Sequence, residues 1–115
     1  ILFIFFNRFN RFFFIIYNNI SLISKRAEAI YKTINITIPE DLDYTGAFDA
    51  IFAEYTRKNE LVKVKTTNMG SMFRLTYEIT LRDSVKEKEM IDTLRCRNGN
   101  LEITVSKQDT MVTEL

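Results

Sequence analysis

The chain has 115 residues, 46% hydrophobic and 27% charged, with a formal net charge of +1. That is globular composition sufficient for one domain, with no overall charge to hold nucleic acid. There is no histidine, and Cys96 is the only cysteine, which removes from this chain the commonest general base, an internal disulfide and any multi-cysteine zinc site.

Residues 1–26, beginning ILFIFFNRFNRFFFIIYNNISLI, contain no acidic residue and most of the phenylalanines. On a helical projection Asn7, Arg11 and Asn18 share a stripe with Arg8 at its edge, and the other faces are Phe, Ile and Leu. The segment is long enough for a bilayer, which takes about 20 apolar residues, although central arginines are costly there unless they face other protein. The expectation is an apolar, membrane-associated helix. It would be the end of a transmembrane region whose other helices lie outside this chain, with the polar stripe turned to them. An amphipathic helix lying in the interface and a helix buried against a partner are the alternatives. Lys25, Arg26 and Lys32 follow directly, which by the positive-inside tendency places the remainder in the cytoplasm, below a cell membrane. The lone thiol fits that reducing compartment.

Residues 27–106 read as a separate globular domain. Thr33–Ile38 alternates strictly, with Ile34, Ile36 and Ile38 on one face, and Pro39 ends the strand. PEDLDYTG is a loop, with Thr45 as N-cap of a helix to about Lys58 whose buried stripe is Phe48, Ile51, Phe52 and Tyr55. ELVKVKTT is a strand with Val62, Val64 and Thr66 opposite Lys63 and Lys65. NMGS turns the chain, with Gly70 supplying a positive φ. Met72–Arg82 puts Phe73, Leu75, Tyr77, Ile79 and Leu81 on one face. Ser84 and Glu87 form a capping box for a helix that buries Met90, Ile91 and Leu94 and stops at Gly99. Asn100–Val105 is the last strand, and 107–115 a polar tail. Met69, Met72 and Met90 read as core or turn-adjacent packing.

The order βαββαβ implies an α+β, ferredoxin-like domain: a four-stranded antiparallel sheet, order 4-1-3-2, with two helices on one face. Turning at Met69-Gly70 sets Val64 across from Leu75 and Val62 across from Tyr77.

That topology gathers the unusual loops at one edge, carrying Asp41, Asp43, Asn68, Arg95, Arg97, Asn98 and Asn100. Arginine forks and amides there suit an anionic small molecule or a phosphate polymer. The plainer reading is that they cap the helix and shape turns. Lys63, Lys65 and Arg74 form a second basic cluster on the open sheet face, with Lys65 opposite Arg74, relieved by Glu78, Glu102 or an anion. The rest of that face is neutral and polar, which suits packing against a second copy. It lacks the aromatics that RNA stacking needs, so nucleic acid is not expected.

No residue is expected to be catalytic and no cofactor or metal is implied. Cys96 sits where the helix dipole disfavours a thiolate, and there is no phosphate loop or metal spacing. The expectation is a non-enzymatic module that senses an anion or docks a partner through the loop edge. The alternative is an oligomerisation domain that pairs through the open face.

The strings ITIPEDLDYTGAFDAIFAEYT, ELVKVKTTNMGSMFRLTYEITL and KEKEMIDTLRCRNGNLEI, over about residues 30–106, resemble the C-terminal cytoplasmic domain of an uncharacterised bacterial family of polytopic membrane proteins. Genes of that family often neighbour those of polyphosphate-polymerase-like (VTC-type) proteins. The resemblance implies a membrane context and a link to phosphate-polymer or envelope chemistry, and it names no catalytic residue. Residues 1–26 match it only as an apolar lead-in.

Overall fold

A computed structural model of the protein describes residues 2–108. A long helix, α1 (Leu2–Ile30), runs without a loop into β1 (Tyr31–Pro39). There follow α2 (Asp49–Tyr55), β2 (Thr56–Thr67), β3 (Met72–Leu81), α3 (Glu87–Arg97) and β4 (Ile103–Lys107). The strands form one antiparallel sheet in the order β2-β3-β1-β4, so the fold is α+β with β2 and β4 at the edges.

Period-two alternation builds the core. Ile34, Ile36 and Ile38 of β1 and Leu75, Tyr77, Ile79 and Leu81 of β3 point to one face. There they meet Phe48 just before α2, Phe52 and Tyr55 on α2, and Met90 and Leu94 from α3. A fully buried Ile, Leu or Phe contributes about 1.5–3 kcal/mol, so the two central strands and two helix faces carry most of the stability.

α1 stands apart from this core. It has 29 residues, about 43 Å at the α-helical rise, and accounts for much of the molecule's 75 Å length. Among the described residues no helix is long and apolar enough to cross a membrane. α1 has the length of a span, and its asparagines and arginines lower its mean apolarity.

Several boundaries differ from those the sequence implied. Thr45 does not cap α2; Asp43 Oδ1 accepts from its N–H at 3.0 Å, and a turn delays the helix to Asp49. The helix stops at Tyr55 because Thr56 is already extended, its N–H and its Oγ1 both closing on Phe52 O, the latter at 2.6 Å. β2 therefore starts four residues earlier than ELVKVKTT suggested. Val64 does face Leu75, but an irregularity between Leu61 and Lys63 puts Leu61, not Val62, across from Tyr77. Asp83 rather than Ser84 caps the turn before α3, accepting from the Val85 N–H at 3.0 Å. β4 reaches Lys107, and the Gln108 amide donates to Lys32 O and Ile79 O. The expected polar tail thus loses its first two residues to the fold, and 109–115 lie outside the described residues.

Candidate functional site

The three loops of interest lie at the end of the sheet where β1 finishes. Glu40 N–H donates to Ser71 O at 3.1 Å, joining the β1–α2 loop to the hairpin, and Thr37 N–H donates to Glu102 O at 3.0 Å, joining β1 to the α3–β4 corner.

In the α3–β4 corner Asn98 closes the helix, its N–H bonding Leu94 O, while Gly99 at φ 74° lets the Asn100 N–H reach Arg95 O. This Schellman arrangement satisfies the last carbonyls of α3. Asn98 is fully buried, and its Nδ2 donates to Thr37 O at 2.9 Å and Leu101 O at 3.1 Å. It is a structural pin, and its Oδ1 is left buried without a partner. Arg95 Nε donates to Asn100 Oδ1 at 2.9 Å, and its Nη1 lies 3.9 Å from Asp92. Asp92 also accepts from Lys88 at 2.8 Å, which holds its carboxyl below the ordinary carboxylate range. Two of the proposed ligand residues, Arg95 and Asn100, thus hold each other. Arg97 is exposed and makes no ion pair within 4.0 Å among the described residues.

In the hairpin, Asn68 Nδ2 donates to Ser71 Oγ at 3.0 Å, and that hydroxyl donates back to Asn68 O at 2.9 Å. Asn68, Met69 and Gly70 all have positive φ, 52°, 58° and 88°. A left-handed methionine costs roughly 1–2 kcal/mol, and Met69 regains nothing by packing because it is fully exposed. Met90, by contrast, is core. In the β1–α2 loop Asp41 is exposed, and Asp43 is engaged in its own turn.

Two clefts open at this end. One, of about 290 Å³, is lined by Thr37, Asn68, Arg74 and Glu102 among others, and its cation and acid already pair at 3.8 Å. The other, of about 530 Å³, is lined by Pro39, Glu40, Asp41 and Ser71 and carries only acidic charge. The end is therefore largely self-satisfied, and neither cleft gathers basic groups.

On the open face Lys65 stands opposite Arg74, while Lys63 faces Thr76. Glu102 relieves Arg74; the Thr76 hydroxyl donates to Asn35 Oδ1 at 2.6 Å. Cys96 is exposed, and among the described residues no group of three or more His, Cys, Asp or Glu side chains could hold a metal ion.

Two apolar surfaces are exposed, of which sequence reasoning expected the first and missed the second. Nine large apolar side chains of α1, from Phe12 to Ile23, are exposed, Phe14 and Tyr17 by 66% and 71%. At the β2 edge Leu61, Val62 and Val64 are 38–46% exposed. Helices of seven and eleven residues cover the two central strands and leave the inward side of β2 open.

Comparison with protein families and with known proteins finds no match to this chain.

Proposed function

We propose that this chain is a non-enzymatic interaction module held on a membrane surface by α1, its βαββαβ domain standing in the cytoplasm. The observation that carries the reading is the exposed apolar surface of α1 beside a domain whose central strands and facing helices bury a core of their own. A contiguous patch of that size on an otherwise well-packed protein is an association surface. The helix has the chemistry of an in-plane anchor: phenylalanine, isoleucine and leucine over most of its girth, a polar stripe of Asn18, Arg11 and Lys25 with Arg26 at its edge, and no acidic residue before Glu28. The basic groups favour anionic lipid. The strand order, with both helices on one face, supports the ferredoxin-like reading of the domain.

Sensing of an anion through the loop edge has less support than docking. Arg95 and Asn100 are engaged with each other, Asn98 is buried, and among the described residues there Arg97 alone is a free guanidinium. The test is co-sedimentation of the full chain with vesicles of phosphatidylcholine and phosphatidylglycerol. Binding is expected, weakened by salt, and lost in the double variant Phe13→Glu, Ile20→Glu. A full chain that stays in the supernatant with vesicles present overturns the proposal.

A further inference from the structure

The second uncovered surface has a different occupant. β2 is an edge strand of twelve residues, and the backbone N–H and C=O groups on its outer side have no ladder partner among the described residues. Long edges are normally blocked by lysines and bulges, and β2 has both. Here, however, the bulge and the charges are arranged so that the strand complements itself.

Leu61 pairs with Tyr77 and Val64 with Leu75. Tyr77 and Leu75 are two apart on β3, so they share one face and one hydrogen-bonding state, and Leu61 and Val64 share both as well. In a regular strand, residues three apart point to opposite faces and cannot pair with each other across a two-fold axis. The extra residue at Val62 removes that obstacle. An antiparallel two-fold centred on Val62 and Lys63 sets Leu61 against Val64 of a second copy, and Val64 against its Leu61. Both are exposed apolar residues on the helix side of the sheet.

The same register settles two charge conflicts. Within one chain Glu60 faces Glu78, and Lys65 faces Arg74, and like charges directly opposite are destabilising. None of Glu60, Glu78 and Lys65 has an ion-pair partner within 4.0 Å among the described residues, although Arg57 and Lys58 line the cleft beside the two glutamates. In the two-fold arrangement Glu60 stands opposite Lys65 of the second copy, and Lys65 opposite its Glu60. One position is unfavourable: Lys63, nearest the axis, stands beside its own copy, with Glu60 of the second copy at one diagonal position and Lys65 at the other.

We infer that β2 pairs antiparallel with β2 of a second copy, joining two four-stranded sheets into one, in a register that places Glu60 against Lys65 and Leu61 against Val64. The interface is isologous and closes as a dimer, through the sheet edge rather than the open face.

Charge exchange tests this inference. In a homodimer of Glu60→Lys each introduced lysine would stand against a native lysine of the other copy. In a homodimer of Lys65→Glu each introduced glutamate would stand against a native glutamate. Each substitution should weaken self-association about tenfold or more. Mixed together, the two variants form a heterodimer in which one of the two edge contacts is lysine against glutamate in reversed order and the other keeps the native pair. Differently tagged full-length chains, without vesicles, give the readout: parent captures parent, neither single variant captures itself, and Glu60→Lys captures Lys65→Glu. Misfolding does not imitate this pattern, because inside one chain Glu60→Lys faces Glu78 and Lys65→Glu faces Arg74. At a concentration low enough for the parent to be monomeric, each variant should thus melt at or above the parent's temperature. A monomeric parent, single variants that self-associate as well as the parent, or a mixture that fails to restore capture overturns the inference. Association through α1 would be the same in every combination, so vesicle binding can succeed or fail independently.

Discussion

Replacing Asn98 by Asp distinguishes a structural pin from a ligand residue with almost no change of volume. The Asn98 amide donates to Thr37 O and Leu101 O in a fully buried corner, and its Oδ1 has no partner. Asn98→Ala loses two neutral hydrogen bonds, about 1 kcal/mol each, but also removes an orphaned acceptor, for a net loss of about 1–2 kcal/mol. Asn98→Asp instead removes the donor and sets a carboxylate against two carbonyl oxygens. Burial and the carbonyl dipoles both disfavour its charged form, so its pKa in the folded state rises above the unfolded value near 3.9. The native state then binds the proton more tightly than the unfolded state does, and stability falls as pH rises above about 4. A rise of about 3 units is worth about 4 kcal/mol. With the lost bonds the deficit reaches about 5–6 kcal/mol at neutral pH, comparable to the total stability of many domains. Urea unfolding of the full chain, followed by circular dichroism at about pH 5 and about pH 8, should show Asn98→Asp far less stable at the higher pH and Asn98→Ala nearly unaffected by it. Equal stability of the two variants at both pH values would refute the buried pin and return Asn98 to the loop-edge surface.

Two further outcomes follow from single side chains. Burial, then Asp49 and Tyr44, push the Tyr77 hydroxyl up from 10.0 to about 12. Because this folded-state value is raised, stability is intact below the unfolded pKa of 10 and declines as pH rises toward 12, by up to about 2 kcal/mol. Tyr77→Phe keeps the ring on Phe52 at 4.8 Å and should remove that part of the alkaline decline, read from urea midpoints at about pH 9 and about pH 11; an unchanged slope would show that the hydroxyl is already solvated. Met69→Asn places a residue tolerant of left-handed backbone at φ 58° and should raise the thermal midpoint, with a gain of about 0.5–1 kcal/mol. A lower midpoint would mean that Met69 makes a contact its full exposure conceals.

The central strands were legible because their signal is local: strict alternation in TINITI and MFRLTYEITL becomes the two middle strands, with Ile34, Ile36, Ile38, Leu75 and Ile79 buried. The Gly99 stop was legible for the same reason, since a left-handed C′ residue is a local requirement. β2 was not. Its first residues, TRKN, are polar and read as the end of a helix, and only pairing to β3 draws them into the sheet. The bulge is equally a property of two strands together. Among the site candidates, sequence placed Arg95, Arg97, Asn98 and Asn100 on one corner but could not rank them. Asn98 differs from its neighbours only in pointing inward, a consequence of the turn that Gly99 permits. α1 shows a different limit, because composition marked the segment as apolar, whereas its fitness to cross a bilayer depends on how Asn and Arg are distributed through the turns.

The two proposed surfaces constrain each other. A two-fold that joins β2 to β2 runs perpendicular to the sheet, so the strands of one copy run opposite to those of the other. α1 enters β1 directly, without a loop, and the two copies of the helix therefore leave the joined sheet from opposite ends. Helices that crossed a bilayer would have to run in opposite directions on either side of the dimer, which a single membrane on one side does not accommodate. Helices lying flat meet no such conflict: with the sheet parallel to the surface, both apolar faces can rest on the same membrane, far apart and without touching. The polar stripe that makes α1 a poor transmembrane span is what an in-plane helix requires on its water side. An edge-paired dimer and a flat anchor are thus compatible for one geometrical reason, and the sheet edge rather than the helices would hold the copies together.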